Sequence, residues 1–172
     1  MNEVLKTIET RRSVRKYNSR SVSSEDLDEI LKAGAYAPSG MDRQPVIFAA
    51  VTDKAVRNEL SEMNAKIMGT KSDPFYGAQT VIVVLADRSV PTYIYDGTLA
   101  MENMMIAAHS LGISSCWIHR AKEEFESEEG KKLLKKWGLD GDYEGIGHCI
   151  LGYSDGEEPS PTPRKQGRII HI

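Results

Sequence analysis

The run VIVVLA, Val81 to Ala86, is apolar without a break and mostly β-branched. A strand of this kind has no polar face to offer to water, so it must be covered on both sides. The run is also too short to cross a bilayer, which takes about 20 apolar residues. The fold therefore starts from a sheet that needs a layer above it and a layer below it.

Helical periodicity elsewhere in the chain provides those layers. Asn2 is placed to cap a first helix that turns Val4, Leu5 and Ile8 inward. Ser23 opens a second helix, with Asp26 favouring its N-terminus and Leu27, Ile30, Leu31 and Gly34 as its buried face; Pro38 stops it, and Ser39-Gly40 makes a loop. PVIFAAV, Pro45 to Val51, reads as a strand. Asp53 then caps a helix with Val56, Leu60, Met63 and Ile67 at helical spacing. The second strand is QTVIVVLAD, Gln79 to Asp87. A long helix follows, from about Tyr93 to Leu111, rich in Ala and Met and stopped by Gly112. ISSCWI, Ile113 to Ile118, is a third strand, a charged helical region runs from Lys122 to Trp137, and EGIGHCILGY, Glu144 to Tyr153, is a fourth strand. No repeat or composition break marks a boundary, so one domain spanning 1–172 is expected, with strands alternating with helices. This pattern leaves the strand direction open.

The composition is that of a soluble globular chain: 172 residues, 40% hydrophobic and 27% charged. A net charge of −3 argues against a general nucleic-acid binder. Cys116 and Cys149 lie far apart among apolar residues and fit reduced core positions of a cytoplasmic protein. The opening MNEVLKTIET carries acidic residues and no long apolar core, so no signal peptide is expected.

Against that acidic background, TRRSVRKY, Thr10 to Tyr17, gathers Arg11, Arg12, Arg15 and Lys16 around Ser13. A helix end decorated with cations is the plain reading. Two features point further. Ser13 adds a hydroxyl among guanidinium groups, the donor set that grips a phosphate, and Arg164, Lys165 and Arg168 form a second basic group near the C-terminus. The phosphate-loop and dinucleotide fingerprints GxxxxGK[ST] and GxGxxG are absent, so side chains would hold the anion.

Four segments, in this order, resemble those of the nitroreductase family of FMN-dependent reductases. They are TRRSVRKY, APSGMDRQPVIF (Ala37 to Phe48), MENMMIAAHSLGISSCWI (Met101 to Ile118) and LGYSDGEEPSPTPRKQGRIIHI (Leu151 to Ile172). The resemblance implies an α+β fold with a mixed, mainly antiparallel sheet flanked by helices. It implies an intertwined homodimer whose C-terminal tails cross to the partner, which would account for the apolar Ile169, Ile170 and Ile172, and an FMN site built from both subunits.

Carried over position by position, Arg11, Arg12, Ser13 and Arg15 would contact FMN. Arg11 and Ser13, with Arg164 and Lys165, would hold its phosphate. Arg15 would face the ring edge, where a fixed cation stabilises the negative charge of reduced flavin. Pro38, Ser39, Gly40, Met41, Asp42 and Gln44 would reach the flavin of the other subunit, with Gly40 letting backbone approach the flat ring. Trp117, Ile118 and His119 would present backbone and apolar surface to the isoalloxazine. Nothing in the sequence orients His119 as an acid or base, so no protein side chain is expected to be catalytic.

Asp42 departs from the Asn common in the family. An ionised Asp only accepts hydrogen bonds, so beside an electron-rich ring, unless Arg43 or another cation neutralises it, it should oppose reduction and either lower the flavin potential or narrow the range of acceptors. The implied activity is hydride transfer in a ping-pong cycle, from NADH or NADPH through FMN to a nitroaromatic, a quinone or a similar small acceptor. The alternatives are a related dehalogenase, flavin-degrading enzyme or dehydrogenase, and a non-enzymatic flavin binder or sensor. No nucleic-acid or membrane partner is expected.

Overall fold

The computed structural model describes residues 2–157 and 159–172. Asn2 accepts a hydrogen bond from the Val4 amide and starts α1, Glu3–Thr10. Ser23 caps α2, Ser24–Ala35, through the Asp26 amide, and Asp53 caps α3, Lys54–Met68, through the Val56 amide. The strands are β1 Val46–Val51, β2 Thr80–Asp87, β3 Ser114–Ile118 and β4 Tyr143–Gly152. The long helix α4 runs over Tyr93–Ser110, and Gly112, at φ 72°, makes the left-handed turn that releases the chain into β3. The charged region splits into α5, Ala121–Glu126, and α6, Glu128–Lys136. The break falls at Ser127, whose hydroxyl accepts from the Gly130 amide and so opens a second helix.

The strands form one sheet in the order β1-β2-β4-β3, and every pair is antiparallel. The only parallel link among the described residues is a single bridge between Ser13 and Ser115 at the β3 edge. The α+β architecture expected from the resemblance is therefore present, with β2 near its centre. Residues 80–86 of β2 are at most 1% exposed. Val81, Val83 and Leu85 enter one core with Leu60, Cys116, Phe125 and Leu133, beneath α3, α5 and α6. Ile82 and Val84 enter the other with Leu27, Ile30, Met101, Met104 and Cys149, beneath α2 and α4. Each such aliphatic side chain contributes about 2 kcal/mol by leaving water, and the same alternation fixes the register. Both cysteines are buried and free, and burial pushes the Cys149 thiol up to about 12.

Two expectations fail within the chain. Val4, Leu5 and Ile8 do not turn inward; they are 61%, 54% and 47% exposed, and α1 has no buried residue. The amphipathic pattern of α1 is real, but the chain offers it no covering layer. Ile67 is also exposed, on the last turn of α3, although Leu60 is fully buried.

A register shift between Val84 and Leu85 lets Ile146 bulge out of β4 between Gly145 and Gly147. The bulge pushes Ile146 against Gly97 of α4, where a Cβ on Gly97 would lie 2.6 Å from Ile146 Cγ1. On the other face the start of α5 presses on Gly145, where a Cβ would meet the Ala121 carbonyl oxygen at 2.3 Å. The helix that follows β3 is thereby held tight to the sheet. Gly145→Ala should cost roughly 2 kcal/mol, because the obstacle is backbone and cannot rotate away. Urea denaturation monitored by circular dichroism measures this, and an unchanged midpoint would show that α5 is loosely docked.

Candidate functional site

The basic stretch lies outside α1, in extended backbone strapped to the sheet. The Val14 amide donates to the Ser115 carbonyl at 3.1 Å, and the Asn18 amide donates to the Tyr153 carbonyl at 3.0 Å. Val14 and Tyr17 are buried, and the Tyr17 hydroxyl donates to the Val14 carbonyl. These anchors leave Arg15 and Lys16 pointing to solvent and bring Arg11, Ser13 and Arg15 around Cys116. Burial raises the Cys116 thiol, while Arg15, a hydrogen bond from Ser13 and Arg11 oppose that rise.

The three arginines are used differently. Arg12 closes the end of α1, its Nη1 donating to the carbonyls of Glu9 at 2.8 Å and Arg11 at 2.6 Å. Arg15 is exposed. Arg11 is drawn inward: its Nε lies 3.7 Å from Glu102 Oε1 on α4, an ion pair too long for a hydrogen bond. Arg11 Nε and Nη1, and Arg12 Nε, are shielded from water with no hydrogen-bond partner. Buried guanidinium donors are nearly always satisfied, so this arrangement lacks an acceptor. A phosphate, with several anionic oxygens, matches that donor set.

The 38–44 loop is strained. Met41, Asp42 and Gln44 have φ of 54°, 53° and 48°, a region that non-glycine residues avoid. It is held from within by Ser39, whose hydroxyl accepts from the Gln44 amide, and by Asp42, whose carboxylate accepts from Gln44 Nε2. It is held from outside by Asp96 of α4, which is 3% exposed and accepts from the Gly40 amide at 3.0 Å and the Thr92 hydroxyl at 2.8 Å. A Cβ at Gly40 would lie 2.4 Å from Thr92 Oγ1, so within the chain the close approach that requires glycine is to Thr92. Behind the loop is a pocket of about 120 Å³ that Pro38, Ser39, Gln44, Phe48, Asp96 and Ala100 help to line.

The third predicted segment ends β3. Ile118 is buried beneath the sheet, so it offers only backbone to the outside. Trp117 is half-buried and packs on Gly147, where a Cβ would lie 2.5 Å from its Nε1. His119 is exposed. With Ile94, Thr98 and Arg120, Trp117 and His119 border a cleft of about 290 Å³. Arg164 and Lys165 stand on the exposed tail, and neither makes a salt bridge within the chain among the described residues. Within one chain Arg11, Ser13 and Arg15 lie near Cys116, the 38–44 loop is pinned to Asp96 of α4, and residues 117–119 border a separate cleft beside Ile94 and Thr98.

Sequence reasoning passed over Asp96 and Glu102. Both carried a signal, as the only carboxylates in a helix, α4, that has no Lys or Arg. Asp96→Ala should destabilise the protein by roughly 2 kcal/mol, the scale of hydrogen bonds to a buried carboxylate. It should also speed hydrogen exchange at residues 39–44. Exchange confined to wild-type rates there would mean that the loop holds its strain without α4.

The chain matches known proteins along most of its length. The family model described as the nitroreductase family matches residues 8–73 and 66–153. A protein of Archaeoglobus fulgidus, named by assignment as an NADH dehydrogenase/NAD(P)H nitroreductase, is 38% identical over 79% of this chain and 76% of its own. A nitroreductase with bound FMN from Bacteroides fragilis superposes with a TM-score of 0.92 at 32% identity, covering all of both chains. Another with bound FMN, from Desulfitobacterium hafniense, gives 0.89 at 28% identity over 100% of this chain and 99% of its own. With its antiparallel sheet, its strapped basic stretch and these matches along most of its length, the chain belongs to the nitroreductase family.

Proposed function

We propose that this chain is an FMN-dependent NAD(P)H oxidoreductase that passes reducing equivalents to a small oxidised acceptor such as a nitroaromatic or a quinone. The observation that carries the reading is the pair of Arg11 donors, removed from water and left without an acceptor. Arg11 and Ser13 would hold the FMN phosphate, with Arg164 and Lys165 joining them from a tail. Arg12 braces Arg11 by closing the helix end behind it. Arg15 would face the ring edge, and Trp117, Ile118 and His119 would form the wall beside the ring.

Bound FMN supplies the hydride chemistry; the protein orients it, excludes water and sets its potential. Arg15 near the ring edge favours the reduced, negatively charged form. No side chain of the chain is required to carry a proton.

Several exposed apolar groups support a homodimer. Val4, Leu5 and Ile8 on α1, Tyr36 and Met41 at the 38–44 loop, and Ile169 and Ile170 on the tail are large and uncovered. A second copy would cover them, bring its tail to the Arg11 group and present Pro38, Ser39, Gly40, Met41, Asp42 and Gln44 to the flavin across the interface. Among the described residues no helix is long and apolar enough to cross a membrane, and a cytoplasmic location is proposed with the reading.

The purified protein should be yellow, or become so with added FMN, and anaerobic NADH or NADPH should bleach it. It should sediment at twice the chain mass. Arg11→Ala should weaken FMN binding roughly 30- to 100-fold, the scale of a lost charge-assisted contact. Colourless protein that rejects FMN, or a variant with wild-type affinity, would refute the assignment.

Asp42 sits at positive φ, where Asn and Asp are both tolerated, so Asp42→Asn keeps the loop and removes one charge. The flavin midpoint potential should rise by roughly 30 mV, equivalent to about 1.4 kcal/mol for two electrons. Redox titration against a dye of known potential reads this directly, and no change would remove Asp42 from the tuning of the ring.

A further inference from the structure

The turn that joins β3 to α5 is built against local preference. Arg120 has φ 77°, where a side chain is strained and glycine is the ordinary choice. Three buried polar residues from three other elements meet behind it. Asn64 of α3 is fully buried; its Nδ2 donates to the His119 carbonyl at 2.8 Å and to Glu124 Oε1, and its Oδ1 accepts from Arg120 Nε at 2.9 Å. Two acceptors on one side of the amide and a donor on the other allow it only one orientation. Glu124 of α5 lies with its Oε2 3.2 Å from His148 Nε2 on β4, and both side chains are 0% exposed. The two atoms are in contact without hydrogen-bond alignment, since neither has a hydrogen-bond partner. Phe75 and Phe125 pack on the His148 ring with centroids 5.2 and 6.4 Å away.

Such a chain of buried polar groups is costly unless every member is matched, and it is a weak way to gain stability. What it does here is local. Asn64 grips the turn at two consecutive residues, the carbonyl of His119 and the side chain of Arg120. The other side of this turn is the open cleft bordered by Trp117, His119, Arg120, Ile94 and Thr98.

We propose that Asn64, backed by Glu124 and His148, is a positioning residue that holds residues 117–120 as a fixed wall toward the flavin ring. This rests on the FMN reading above. Asn64 touches no cofactor in this account; it acts through the His119 carbonyl and the Arg120 side chain. A rigid wall keeps the ring in one orientation, which is how a support behind a site sharpens it.

The test uses the full-length protein, with FMN as the probe, and begins with wild type. Wild type that binds no FMN sinks the cofactor reading before any variant is made, and this inference with it. If wild type binds, Asn64→Leu removes all three contacts while keeping the branched shape of the side chain. It should bind FMN roughly tenfold more weakly, alter the visible circular dichroism of the bound flavin and speed hydrogen exchange of residues 118–121 in the FMN-free protein. Adding Arg120→Gly should recover at least roughly threefold of that affinity, because glycine takes positive φ without a tether, while the melting temperature stays low. That split separates positioning from core packing. If Asn64→Leu does not fold, Arg120→Ala removes only the Nε contact at a partly exposed residue, and a smaller loss of affinity with a change in dichroism in the same sense is expected. Wild-type affinity and dichroism in the folded variant, whatever its melting temperature, would overturn the proposal and leave the network as core structure.

Discussion

Withdrawal of β2 from water on both faces is the constraint on which the rest of the molecule depends. Backbone groups buried this deeply must be paired, and β1 and β4 pair them from the two sides. Side chains buried this deeply need two separate covers, so α2 and α4 lie on one face and α3, α5 and α6 on the other. Each cover also carries polar residues that brace segments of the candidate site from behind. From the first come Asp96 and Glu102, toward the 38–44 loop and Arg11. From the second come Asn64 and Glu124, toward the turn after β3.

Among the described residues five that are not glycine hold positive φ: Met41, Asp42 and Gln44 in the 38–44 loop, Arg120 in the turn after β3, and Tyr76 ahead of β2. A strained conformation persists only when its surroundings over-determine it. Asp96 and Ser39 do this for the loop, and Asn64 does it for the turn. The bulge at Ile146 serves the same end from the sheet, because it docks α4 and leaves Gly145 free to take the close approach of α5.

The charges tell a complementary story. Arg12 Nη1 closes its own helix end, whereas Arg11 is part-buried beside a carboxylate that it does not fully reach. A cation in that state is poised for an anion with more acceptor oxygens than one carboxylate offers. The uncovered apolar faces of α1 and the tail are the hydrophobic counterpart of the same incompleteness.

Much of this was legible in the residues. VIVVLA determined a doubly covered strand, and Asn2, Ser23 and Asp53 determined three helix starts, because each is a local effect of pattern or capping; the crowding of Arg around Ser13 singled out the segment in which Arg11 Nε and Nη1 stand without a partner. The inward reading of Val4, Leu5 and Ile8 misled, because periodicity says that a face is apolar and not what covers it. Tertiary structure alone decided strand direction, the need for Gly40 beside Thr92, and the meeting of Asn64, Arg120, Glu124 and His148. Those are contacts between residues tens of positions apart, and their geometry exists only after the two layers have closed on the sheet.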